Sequence, residues 1–267
     1  MSSDIPGQAA RSGAADPRDE ALLALAAGGD RARLEAMLAS CHAGEPAPYV
    51  AGFLIFRGRR FCIDRRAYIT DPEVTHLVDM VAATGVELEN QLRRPPRLLE
   101  FGVGAGPPAI SLQLEHPHWQ VGGLDFDRAA LELARENARG FGLAMDFFES
   151  DYFSGWPVGR PPPDLIFGDP PWGDAGDLYD SSRGTDYYRQ MPPKSAFPSG
   201  GGSRCAIHDE LIRRVGLLGW PSQLVLNYGV LPRDLIEKSC APLLEKRLLS
   251  PRPGLTVMVG SNFARRS

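Results

Sequence analysis

The stretch Leu98-Leu-Glu-Phe-Gly-Val-Gly-Ala-Gly106 decides the fold. Arg97 to Phe101 reads as a buried strand, because a short apolar run bounded by glycine is too brief for a helix. Gly102, Gly104 and Gly106 then let the backbone turn sharply and approach a ligand closely. A helix from Pro107 to Glu115 follows, proline being tolerated in a first turn whose N–H groups have no intrahelical partner. Its N-terminus faces the same ligand as the loop. Taken alone the loop is ambiguous, since the same glycines serve dinucleotide sites and plain tight turns.

Outward from this unit the chain alternates strand and helix. Strand Gln120 to Phe126 leads into helix Arg128 to Arg139, capped by Asp127 and ended by Gly140. Strands Met145 to Phe148 and Asp164 to Gly168 come next, then helix Ile207 to Leu218, strand Gln223 to Asn227, helix Arg233 to Cys240, and strands Arg247 to Leu249 and Leu255 to Asn262. The pattern predicts an α/β fold, a mostly parallel seven-stranded sheet with helices on both faces. Upstream, residues 1–17 are small and polar and are expected to be disordered. Residues 18–70 read as a short helical segment, broken near Gly28-Gly29, plus a β-hairpin of Phe53 to Phe56 and Arg60 to Ile63 around Arg57-Gly58-Arg59. A helix over Pro72 to Glu89 begins the main domain, residues 71–267. Within it the Gly/Pro/Ser-rich stretch 173–203 is too long for an ordinary connection and is expected to act as a substrate lid.

Acids close the strands. Glu100 ends the first, Asp125 ends the second about 25 residues later, where a carboxylate can accept from both hydroxyls of a ribose, and Asp151 follows the third. Dinucleotide binding would explain the glycines and Asp125 but leaves Gly168-Asp-Pro-Pro-Trp172 without a purpose; helix capping or surface charge is the plainer reading of the acids. That second stretch joins a carboxylate, a rigid Pro-Pro and an aromatic plate at a strand end, a combination suited to holding an amine before an electrophile.

Composition narrows the class. The 267 residues are 43% hydrophobic, enough for a sizeable core, and no apolar run approaches the ~20 residues that span a bilayer. With no secretory signal layout, cytoplasmic residence is expected, away from any membrane. A net charge of −4 gives no basic footprint for nucleic acid. Cys41, Cys62, Cys205 and Cys240 form no CxxC pair, and the five histidines have no metal-ligand spacing, so no metal is expected. The oligomeric state is not legible.

Four motifs in order, Leu98 to Gly106, Gly123-Leu-Asp-Phe-Asp127 with Ala134-Arg-Glu-Asn-Ala138, Ser150-Asp-Tyr-Phe153 and Asp164 to Trp172, resemble class I S-adenosylmethionine (SAM)-dependent methyltransferases, with their Rossmann-like fold. The strongest resemblance is to the release-factor glutamine N5-methyltransferases, whose hairpin region is also echoed by Pro48-Tyr49, Gly52, Phe56-Arg-Gly58, Phe61, Asp64 and Asp71-Pro-Glu73. It covers roughly Pro48 to Ala175. The resemblance implies SAM as cosubstrate. It puts Gly102, Gly104 and Gly106 around the methionine moiety, Glu100 toward the ligand's amino acid end, Asp125 on the ribose and Asp151 with Tyr152 at the adenine, with Phe126 among the cofactor-binding residues. Asp169, Pro170, Pro171 and Trp172 would line the nucleophile's position. Apart from the resemblance, the lid region offers Tyr179 as an acceptor, Tyr187 and Tyr188 as aromatic faces toward a sulfonium, and Ser203 as a ligand contact.

Two departures bear on the acceptor. The family's turn starts with Asn, which donates and accepts, whereas an ionised Asp169 only accepts. The N-terminal segment is also shorter than that family's docking domain, and the tail after Leu226 does not resemble it. The expectation is therefore methyl transfer to a nitrogen of a small-molecule or carrier-bound amine. Two alternatives stay open: ring closure of SAM to azetidine-2-carboxylate and methylthioadenosine, as in natural-product pathways, and protein glutamine N5-methylation. A SAM-binding module without catalysis is a third, disfavoured by the intact Asp169 to Trp172 turn.

Overall fold

The computed structural model of the chain describes residues 17–174, 177, 184–192, 195 and 202–261. Helices α1 (Pro17–Ala27) and α2 (Arg31–His42) are separated by Gly28 and Gly29, both left-handed, and Asp30 caps α2 by accepting from the Arg33 N–H. A short helix, α3 (Ala47–Ala51), has no counterpart among the predicted elements, since five residues carry no periodicity. The hairpin β1 (Phe53–Phe56) and β2 (Arg59–Cys62) turns on two residues, Arg57 and Gly58, with φ 48° and 72°. Two consecutive positive φ angles define the tight turn that matches strand twist, so Arg59 joins the strand one residue earlier than expected.

The main domain comprises α4 (Val74–Leu92), β3 (Arg97–Phe101), α5 (Pro107–Glu115), β4 (Gln120–Asp125), α6 (Arg128–Gly140), β5 (Phe147–Glu149), β6 (Leu165–Gly168), α7 (Gly184–Arg189), α8 (Ala206–Leu218), β7 (Gln223–Asn227), α9 (Arg233–Ser239), β8 (Glu245–Arg252) and β9 (Leu255–Ser261). The third predicted strand is displaced: pairing to β4 begins at Phe147, opposite Gly123, rather than at Met145. The left-handed residue after α6 is Gly142 rather than Gly140.

The seven strands lie in the order β5-β4-β3-β6-β7-β9-β8, and β9 runs antiparallel to both its neighbours within an otherwise parallel sheet. Successive side chains of the central strands point to opposite faces. Leu98, Leu165, Phe167 and Val225 join the layer under α4, α5 and α6, while Leu99, Ile166, Leu224 and Leu226 join the layer under α8 and α9. This alternation covers both faces with helices, which is why the central strands read as unbroken apolar runs. The segment expected to be disordered lies outside the described residues, apart from Pro17, the first residue of α1. Much of the expected lid also lies outside them; its described part includes α7.

Candidate active site

From β3 the sheet is built outward in both directions, through β4 to β5 on one side and through β6 to β7 on the other. Connections leaving the C-terminal ends of adjacent strands then diverge, and a crevice opens where they part. A cleft of about 590 Å³ occupies this place, walled by the segments after β3, β4, β5 and β6.

On the β3 side, Gly102 and Gly104 have φ 71° and 54°, and a Cβ at either would meet no atom within 4 Å. Backbone conformation demands these glycines, and the space over the loop stays open. Asp125 at the end of β4 holds the loop in place: its Oδ2 accepts from the Gly104 N–H at 2.9 Å and its Oδ1 from the Asp127 N–H at 3.0 Å. Burial raises its proton affinity, opposed by those backbone donors. Glu100 lines the cleft and also caps α5, accepting from the Ala109 N–H at 2.9 Å; burial pushes its carboxyl well above the usual range. One residue thus both caps a helix and lines the cleft. Phe126 and Asp151 are exposed at the rim, and Tyr152 packs on Phe101 with ring centroids 5.3 Å apart.

The opposite wall is the turn after β6. Asp169, Pro170 and Trp172 all line the cleft. Asp169 Oδ1 accepts from Asn227 Nδ2 at 2.7 Å and from Trp172 Nε1 at 3.1 Å. Burial pushes this carboxyl up to about 7 despite the two donors, so near neutrality it exists both with and without a proton. Trp172 is a buried wall and not an exposed plate: one side of its indole lies on the backbone of Gly229, where a Cβ would meet the ring at 2.0 Å. Tyr188 of α7 is buried in the cleft lining.

Several expected residues are placed elsewhere. Gly106 does not line the cleft; it is the left-handed residue that starts α5. Tyr187 packs partly buried against the core, edge-on to Tyr188. Ser203 is exposed and its Oγ accepts from the Cys205 N–H, a local turn contact. Tyr179 lies outside the described residues. In their place the cleft recruits Tyr68, whose hydroxyl donates to Asp71 at 2.8 Å, and Asp177, held by Arg204 at 2.7 Å. Asn227, too, was missed. Its signal was a polar residue closing the apolar run Leu224-Val-Leu, the same signature that marked Glu100 and Asp125.

The lining is strongly acidic, and Arg66, its arginine, is already paired with Asp64 and Glu136. Such a cleft favours a ligand carrying positive charge over one carrying phosphates. SAM, with a sulfonium and an ammonium, fits this balance, and the open space above Gly102 and Gly104 fits a ligand lying on the loop.

The methyltransferase small domain family matches residues 82–181. Among curated proteins, a release factor glutamine methyltransferase of Neisseria gonorrhoeae is 34% identical over 136 residues, 51% of this chain and 47% of that protein. Another of the same name from Chlorobaculum tepidum is 34% identical over 151 residues, 52% of this chain and 50% of its own length. The chain spans about half the length of the curated relatives it matches. A 16S rRNA N2 methyltransferase from T. thermophilus, solved with AdoMet and guanosine, superposes with a TM-score of 0.50 at 15% identity, covering 79% of this chain and 50% of that one. The class I methyltransferase fold and the resemblance to release-factor glutamine methyltransferases are both borne out.

Proposed function

We propose that this chain binds SAM and transfers its methyl group to an –NH2 nitrogen, that of a protein glutamine side chain. The observation that carries the reading is the pair of strand-end walls, Gly102 to Gly104 with Asp125 on one side and Asp169-Pro170 on the other, facing one acidic cleft. When bound, SAM supplies a methyl group already activated by its sulfonium. The chain has only to align the nucleophile and leave its lone pair free. Asp125 serves the ribose, Asp151 and Tyr152 the adenine end, and the glycine loop the methionine part. Asp169 and the Pro170 carbonyl accept the two N–H groups of the acceptor nitrogen, so that the remaining electron pair points along the line of transfer; the N–CH3 bond forms as the S–CH3 bond breaks, S-adenosylhomocysteine leaves, and Asp169 takes one of the two protons from the methylated nitrogen. The glutamine acceptor is taken from the relatives' names, and the small or carrier-bound amine expected from the sequence becomes an outcome to be tested.

A second reading draws on α7, which brings Tyr188 into the lining of the cleft that also holds Asp169. Tyr188 and Trp172 give the cleft aromatic faces suited to a sulfonium. There the substrate's own α-amino nitrogen would attack Cγ, forming the C–N bond of azetidine-2-carboxylate as the C–S bond breaks and methylthioadenosine leaves, with the amine proton passing to Asp169.

One experiment separates these: purified protein with SAM alone, with a release factor or glutamine peptides, and with small primary amines, the products followed by mass spectrometry. S-adenosylhomocysteine formed only with the glutamine substrates is the expected result. Its formation only with small amines would move the acceptor to a small molecule, and methylthioadenosine with a four-membered amino acid from SAM alone would make the enzyme a ring-closing one. Failure to bind SAM would overturn both readings.

A further inference from the structure

Asn227 closes β7, and β7 is the strand hydrogen-bonded to β6, with Leu226 paired to Gly168. The register therefore sets Asn227 beside Asp169 at adjoining strand ends. Asn227 is 1% exposed, and its amide orientation is fixed: Oδ1 accepts from the Gly229 N–H at 3.0 Å, which turns Nδ2 toward Asp169 Oδ1 at 2.7 Å. Its backbone carbonyl accepts from His208 Nε2 at 2.7 Å, tying the strand end to α8. The same short segment sets the second donor, because Gly229, with φ 54°, is where the Trp172 indole rests. Both hydrogen bonds fall on Oδ1, and no described residue donates to Oδ2 of this cleft-lining carboxylate.

We propose that Asn227 is the positioning residue of the reactive turn: with Trp172 it saturates Asp169 Oδ1 and commits Oδ2 to an N–H of the incoming nitrogen. The assignment rests on the reading of Asp169 as the nitrogen-binding group, and adds which oxygen is presented and what holds it. The two donors fix the rotation of the carboxyl plane. They also favour its ionised form, against burial, which favours the protonated one. The distinction matters because a protonated Oδ2 would donate where an N–H needs an acceptor. Other titratable groups line the same cleft: Glu100 from β3 and Tyr68 from the segment before α4, both within electrostatic reach of Asp169, with Asp71, Tyr188 from α7 and Asp177. These are common to all variants compared below, so a change on removing Asn227 reports its own hydrogen bond. His208, on α8, reaches the Asn227 carbonyl.

The test is a carbon-13 NMR titration of protein labelled at the aspartate carboxyl, with the Asp169 signal assigned by its loss in Asp169→Asn. Asn227→Ala should raise the Asp169 midpoint by about one pH unit, a tenfold change in proton affinity. Trp172→Phe, which keeps an aromatic ring on Gly229 and removes only the donor, should raise it in the same direction and carries the test if Asn227→Ala does not fold. SAM affinity, measured by calorimetry, should stay within about threefold, while the acidic limb of the turnover profile moves up with the midpoint. An unmoved midpoint in both variants, or a turnover loss equal at every pH, would overturn the proposal. Because the titration needs no substrate, a shifted midpoint in a protein that does not bind SAM would sink the methyl-transfer reading while leaving the hold of Asn227 on Asp169 supported.

Discussion

At the scale of single residues, Asp169 and Asp125 make opposite predictions. In Asp169→Asn the two donors at Oδ1, from Asn227 and Trp172, demand an acceptor, so the new amide must place its oxygen there and turn its –NH2 into the cleft. A donor then stands where the acceptor nitrogen needs an acceptor. Turnover should fall on the order of 10²-fold, with SAM affinity within a few-fold of wild type; unchanged turnover would remove Asp169 from the reacting end. Asp125→Ala is expected to act on binding, because Asp125 anchors the Gly104 N–H and is the group proposed to serve the ribose. Loss of a charge-assisted hydrogen bond is worth about 1.5–3 kcal/mol, so calorimetry should show SAM binding weakened roughly 10- to 100-fold. A normal affinity would mean that the cleft holds its ligand in another way. Both acids were legible in the sequence as polar residues closing apolar strands, and Asn227 carried the same mark. What sequence could not supply was adjacency, since only the pairing of β7 with β6 brings Asn227 to Asp169.

Among the elements, the hairpin is coupled to the ligand loop through α6. Asn137, 4% exposed, accepts from the Cys62 N–H at 2.8 Å and donates to the carbonyls of Cys62 and Ala105 at 3.0 and 2.9 Å. One amide thus joins β2 of the N-terminal hairpin to the glycine-rich loop between β3 and α5. Asn137→Ala leaves these backbone groups unpaired in the interior, at a cost of about 2–3 kcal/mol, which lowers Tm by roughly 5–10 °C and loosens the loop enough to weaken SAM binding. Scanning calorimetry with and without SAM checks both halves, and a Tm within about 1 °C of wild type would show that the bridge is unimportant. The strands and helices of the main domain were readable because both faces of a covered sheet leave long apolar runs, punctuated by glycine and proline. The elements that escaped were those without a period: α3 has five residues, and α7 has six within a stretch whose composition marks only a loop. Those short elements matter here, because α7 supplies Tyr188 to the cleft, whereas Tyr187, its neighbour in sequence, packs against the core instead.

For the whole molecule, the decisive fact is that buried carboxylates converge where a cationic ligand would sit. Burial raises Asp169 from 3.8 to about 7, and raises Glu100 and Asp125 above their ordinary values. A carboxyl whose folded value is raised contributes stability that is full below its unfolded value and is lost as pH climbs through the folded one. For Asp169 that loss runs from about 4 to about 7. His208, held neutral by burial at about 4 against 6.5, works in the opposite sense, adding stability as pH rises through that interval, so the acids act unopposed by it only above 6.5. Between pH 6.5 and 7.5 the ligand-free protein should therefore lose roughly 0.5–1 kcal/mol from Asp169, seen as a Tm lower by about 1–4 °C. Bound SAM reverses the argument, because positive charge in the cleft favours the ionised acids and lowers their proton affinity. Saturating SAM at about 100 times its Kd adds about 2.7 kcal/mol at a fixed pH, and its affinity rises as the acids deprotonate. The SAM-induced rise in Tm should thus be larger at pH 7.5 than at 6.5 for the same SAM concentration, and Asp169→Asn, which cannot ionise, should flatten the difference. A SAM shift that is equal or smaller at the higher pH would mean that these carboxylates do not face the cation, and the charge argument for the cleft would fail with it.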